Sequence, residues 1–286
     1  MLYIVAENLK KLVANLSKRG PHRVLIGDLS FVGLPGKVYA PAGGKNIAGV
    51  AFGHDWRSPI GDYHATLRHL ASWGIAVAAP DTERGFKVDH RGLANDLESC
   101  LQILGGVRLG EGDVIVNPNR LGLAGHGMGA GAAVLAAAGR PNIQGVGCVF
   151  PADTAPPATA AATNVSAPGL VLAPGEDQWA MRGNPYKLAL QWEGDVVLRE
   201  VDDAYENSFS ETPLLRRALG FSRSKTKHQE VARAALTGFL LAAVAKDDKY
   251  DAFLEQDADI KGCTNRDREY WQSRMPQNFS VNDLKD

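Results

Sequence analysis

The chain has 286 residues, 31 of them basic and 32 acidic, for a net charge of -1; 45% are hydrophobic and 22% charged. That balance excludes a disordered, collagen-like or coiled-coil chain and implies no general attraction to nucleic acid. The length suffices for a large buried core, and α/β folds often run to about 250 residues as one domain.

The three cysteines, Cys100, Cys148 and Cys263, form no C-x-x-C pair. No structural zinc site of that kind is expected, no cofactor or metal is implied, and the chain reads as a reduced, cytoplasmic protein. The apolar stretch 2–6 is too short for a signal peptide, and no run approaches the ~18 apolar residues of a membrane span.

Leu2, Val5, Leu9, Leu12, Val13 and Leu16 recur at helical spacing, which predicts an amphipathic helix within residues 1–20, ended by Gly20-Pro21. Such a stripe suits packing on its own domain. It also suits docking on a protein partner or a membrane surface, so a membrane-peripheral location stays open. Short β-rich runs follow at 23–26, 37–39, 48–52, 75–79, 120–124, 146–150, 169–173 and 196–201. Helical patterns lie between most of the later ones, at 63–72, 91–105, 129–138 and 185–191, and a long closing helix is expected at 229–245. Alternating units with near-continuous apolar strands predict an α/β fold: a mostly parallel central sheet flanked by helices on both faces, with the early strands as an antiparallel edge. Residues 21–256 read as a single domain and 257–286 as a polar tail.

Gly125-His126-Gly127-Met128-Gly129 follows an apolar run and opens an alanine-rich helix. That is the context of a nucleophile elbow, G-x-S-x-G, in which a sharp turn lifts the nucleophile above the sheet beside a helix N-terminus. The outer glycines are present, but the nucleophile position is Gly127. A dinucleotide-binding turn is the competitor; here the turn follows a late strand, and no acidic residue stands where the ribose partner belongs.

With Gly53-His54 after the third run, Pro80-Asp81-Thr82 after the fourth and Pro174-Gly-Glu-Asp177 after the seventh, the ordered set resembles the α/β-hydrolase superfamily, nearest its dienelactone-hydrolase, cutinase and polyester-hydrolase branch. The resemblance spans about residues 24–254 and implies that fold. It puts Asp177 at the triad acid and the backbone N–H groups of His54 and Met128 at the oxyanion hole. It puts the triad histidine within 202–210, where no histidine occurs and Tyr205 stands nearest. Serine and histidine are thus both missing. Removing a triad nucleophile or base costs about a millionfold in turnover, and an acyl-enzyme cannot form on glycine.

Two functions remain. A catalytically silent member would bind a small acyl or ester-like ligand or a protein partner. An active ester hydrolase with a rearranged site would use His54, His126 and Asp177 to activate water. His126 has a structural alternative, because it flanks the nucleophile position and is not itself that position. His64 and His69, five apart on one predicted helix, do not share a face, and Cys100 and Cys148 read as core residues.

Overall fold

The computed structural model describes residues 2–176, 183–211 and 226–275, with side chains from Asn8 onward. Its strands are β1 (Val24–Asp28), β2 (Gly36–Pro41), β3 (Gly44–Gly53), β4 (Ile75–Pro80), β5 (Val114–His126), β6 (Ile143–Val149), β7 (Gly169–Pro174), β8 (Val196–Val201) and β9 (Cys263–Asn265). They form one sheet in the order β1-β2-β4-β3-β5-β6-β7-β8-β9. The β1–β2, β2–β4 and β8–β9 pairs are antiparallel and the other five are parallel. The chain is an α/β protein, and its antiparallel edge lies at the early strands as their close spacing implies.

Helices cover both faces because side chains alternate along each strand. In β4, Ile75, Val77 and Ala79 join one core, and Ala76 and Ala78 join the other. The first core is covered by α1 (Leu2–Leu16), α2 (His64–Ser72) and α7 (Thr226–Ala243). The second lies under α3 (His90–Gly106), α4 (Met128–Ala137) and α6 (Pro185–Leu190), with the single turn α5 (Ala158–Ala161) at its margin. Leu9, Leu12, Val13 and Leu16 of α1 are buried with α7, so the described half of its apolar stripe faces inward. Residues 257–275, expected as tail, extend the domain: β9 pairs with β8, and α8 (Arg268–Ser273) buries Trp271. No helix among the described residues is long and apolar enough to cross a membrane.

Long-range contacts position α2. It begins with no capping side chain of its own. Glu211 supplies one from 145 residues away: its carboxylate accepts the backbone N–H groups of Ala65 and Thr66, each at 2.8 Å. A carboxylate on these orphan donors is worth about 1 kcal/mol. It also ties the segment after β8 to the helix that follows β3.

His69 of α2 is buried, and its Nε2 has no hydrogen-bond partner among the described residues. Burial, then the nearby Arg233 cation, pulls its pKa down from 6.5 to about 4, against a hydrogen bond to the Leu16 backbone. The unfolded chain therefore binds a proton that the folded one refuses. Stability present above pH 6.5 is lost as the pH falls toward 4, by at most about 3 kcal/mol. Urea unfolding across pH 7.5 to 4 is expected to show this loss. A His69→Gln variant should lack the part of the slope that lies in this window; an unchanged slope would remove His69 as its source.

Candidate ligand site at the elbow

The order β4-β3-β5-β6 places the site. The chain leaves β3 for α2 on one face, and leaves β5 for α4 on the other. A crevice opens between such diverging connections, outside the carboxyl ends of the strands. Gly53 and Gly125 pair in register at the ends of β3 and β5. A Cβ on Gly125 would lie 2.3 Å from the Gly129 backbone, and one on Gly129 2.2 Å from that of Gly53. Three glycines thus let two strands and α4 meet backbone to backbone, so the elbow turn sits tight on the sheet.

Gly127 itself has φ 55° and ψ -120°, a left-handed φ that favours glycine. The turn keeps the sharp strand-to-helix geometry that would raise a nucleophile. The space that side chain would take is filled from elsewhere. A Cβ on Gly127 would lie 2.0 Å from Oδ1 of Asp55 and 2.3 Å from its Cγ. The same Oδ1 accepts the backbone N–H of Met128 at 2.9 Å. Met128 N–H is the donor the resemblance assigns to an oxyanion hole, and here it holds the protein's own carboxylate.

Sequence reasoning notes Asp55 only as the acid that follows His54 and gives it no place at the elbow. The available signal was an acidic residue directly after Gly53-His54, together with a glycine at the centre of the elbow. Asp55 is part-exposed, and its backbone N–H donates to the Tyr63 hydroxyl at 3.1 Å. That hydroxyl lies 2.8 Å from Nδ1 of His126, whose Nε2 lies 2.8 Å from the Glu206 carbonyl. A carbonyl only accepts, so Nε2 carries the proton and Nδ1 accepts from the tyrosine. Burial, then the Asp55 carboxylate, pushes the Tyr63 phenol well above its ordinary pKa, so it stays a donor. The chain Asp55–Tyr63–His126–Glu206 fastens the elbow to the segment 202–210 after β8.

His54 is fully buried, with its ring nitrogens each 2.8 Å from a carbonyl oxygen, of Asp55 and of Thr82. It braces the loops after β3 and β4 and does not line an open wall. Tyr205 is half-buried, and its backbone N–H donates to Ser208 Oγ at 2.9 Å. Asp177 lies outside the described residues. Among those that are described, no group of three histidine, cysteine or acidic residues is arranged to hold a metal ion. Cys100 and Cys148 are buried with thiols pushed far up by burial, and burial pushes Cys263 up to about 12, so none is a ready thiolate.

No protein-family model and no curated protein matches this chain.

Proposed function

We propose that this chain is an α/β-hydrolase-like protein that has abandoned acyl-enzyme chemistry and works by binding. One observation carries the reading: the Asp55 carboxylate occupies the volume of the absent nucleophile and takes up the Met128 N–H. A substrate oxyanion would have to displace a like-charged group from that donor, which is the reverse of the preorganised empty hole that acyl transfer uses. The rearranged-site alternative needs His54 and His126 to handle a water proton, yet both rings are engaged inside the protein. The ligand class suggested by the resemblance is a small acyl or ester-like molecule, or a protein partner that covers the crevice.

The test is hydrolysis of short- and long-chain nitrophenyl esters by the whole chain and by an Asp55→Ala variant. Neither should exceed the buffer rate. Turnover above background that collapses in Asp55→Ala would overturn the silent reading and make Asp55 the working carboxylate.

A further inference from the structure

The sheet ends on β1 at one edge and on β9 at the other. β9 is three residues long, whereas β1 has five and pairs with β2 without a bulge. The Ala42 N–H donates to the Arg23 carbonyl at 2.8 Å, so the bonded pairs of this antiparallel ladder continue at Leu25–Ala40 and Gly27–Val38. Val24 falls opposite Pro41, which has no N–H to offer, in agreement with that alternation. The backbone groups of Val24, Ile26 and Asp28 therefore point away from β2, and no described residue pairs with β1 on that side.

Natural proteins blunt such an edge with lysine, proline, a bulge or a covering element. The run Val24-Leu25-Ile26-Gly27-Asp28 contains no lysine, no proline and no bulge, and Ile26 and Gly27 are exposed. Of the six exposed large hydrophobic side chains among the described residues, Ile26 lies in β1, and Phe31 and Val32 lie in the turn directly after it. Gly27 answers no need of its own chain. Its φ is not left-handed, and a Cβ there would meet nothing nearer than Val38 Cβ at 4.0 Å. A glycine inside a strand is often the place where another backbone approaches closely.

We infer that β1 pairs with β1 of a second copy of this chain, antiparallel about a twofold axis at Ile26, so that the two sheets become one. In that register Ile26 meets Ile26, and Leu25 of each copy lies opposite Gly27 of the other, where the missing side chain leaves it room. Val24 lies opposite Asp28, so no like charges face each other along the paired strands. The two Ile26 residues exchange both of their backbone hydrogen bonds, and each Asp28 N–H donates to the Val24 carbonyl of the other copy. The Asp28 carbonyl is turned to the 3-10 helix Leu29–Val32 that this residue caps. The complement that a foreign strand would have to supply is thus present in β1 itself, as an isologous contact requires. Each copy uses its one long free edge, so the assembly closes at two. A pairing this short lies at the small end of specific interfaces, and the dimer is expected to be weak, with a Kd of about 10–100 μM. The inference rests on the sheet edge and stands whether or not the elbow is silent.

The test is sedimentation velocity of the full chain from about 1 to 500 μM, a range that brackets that affinity. The parent is expected to pass from monomer to dimer. Ile26→Lys and Ile26→Glu each set like charges face to face at the axis and remove the apolar contact there. Either alone should weaken dimerisation by roughly tenfold or more. Mixed in equal amounts, the two variants set lysine against glutamate and should associate more strongly than either does alone. Gly27→Val fills the space that Leu25 of the other copy needs and should also weaken the dimer. Ile26 is 43% exposed and Gly27 faces open space, so none of these changes should lower the melting temperature. A parent that stays monomeric throughout, a dimer that survives Ile26→Lys and Gly27→Val, or a mixture no more associated than its components would overturn the inference. So would a series of larger species growing with concentration, which a twofold strand pairing cannot produce.

Discussion

Gly127→Ser is expected to destabilise the protein and to yield no hydrolase. A side chain at φ 55° carries strain of about 1–3 kcal/mol, and its Cβ would sit 2.0 Å from Oδ1 of Asp55. Relieving that overlap forces the carboxylate off the Met128 N–H, at a further cost of about 1–3 kcal/mol. A total near 3 kcal/mol corresponds to a fall of about 6–12 °C in Tm for a domain of this size. Asp55→Gly removes the obstacle, so the pair should couple. The double variant should be more stable than the sum of the single losses by about 1–2 kcal/mol. Thermal unfolding of the four proteins checks this. Strict additivity, or a Gly127→Ser protein as stable as its parent, would show that Asp55 does not fill the vacant position. Ester turnover should stay at background in Gly127→Ser, because the segment 202–210 offers the new hydroxyl no histidine to take its proton.

The same contact shows what was legible in the chain and what was not. The eight β-rich runs all became strands of the sheet, and the buried parallel ones among them announce themselves as unbroken apolar runs. Their ends were less legible. The run at 120–124 begins at Val114 in the structure, with Pro118 inside the strand. Proline argues against a central strand, but register shifts near Ile47 of β3 accommodate it. Strand β9 carries no pattern of its own: Cys263–Asn265 pairs with β8 through contacts that only the folded tail supplies. At the elbow, the glycine spacing revealed the turn and the glycine at its centre. It did not reveal Asp55, because the contact joins residues 73 positions apart and depends on the space a missing side chain leaves. The Glu211 cap on α2 escaped for the same reason.

Arg199→Ala is expected to be the most damaging single change in the second half of the chain. Arg199 is fully buried in β8 and meets no carboxylate oxygen within hydrogen-bond distance among the described residues. Its Nη1 donates to the Ala258 carbonyl at 2.7 Å and to Asn265 Oδ1 at 2.5 Å, and its Nη2 donates to the Glu255 carbonyl at 2.5 Å. Gln256 completes the join: its side-chain amide takes the Leu198 N–H at 2.9 Å and donates to the Leu198 carbonyl at 2.8 Å, as a neighbouring strand would. One guanidinium thus gathers the turn before β9 and β9 itself onto the edge of the sheet. Truncation leaves the Glu255 carbonyl and Asn265 Oδ1 without the guanidinium donor and opens a cavity, for a cost of about 3–5 kcal/mol. Arg199→Met keeps much of the volume and removes a cation whose pKa burial already pulls down, so it should cost less than half as much. Urea unfolding would give both values. Hydrogen exchange should show residues 255–265 opening well before the rest of the sheet in Arg199→Ala. A loss under about 1 kcal/mol, or uniform exchange across β8 and β9, would mean that the edge is held by its strand pairing alone and that the buried cation is incidental to it.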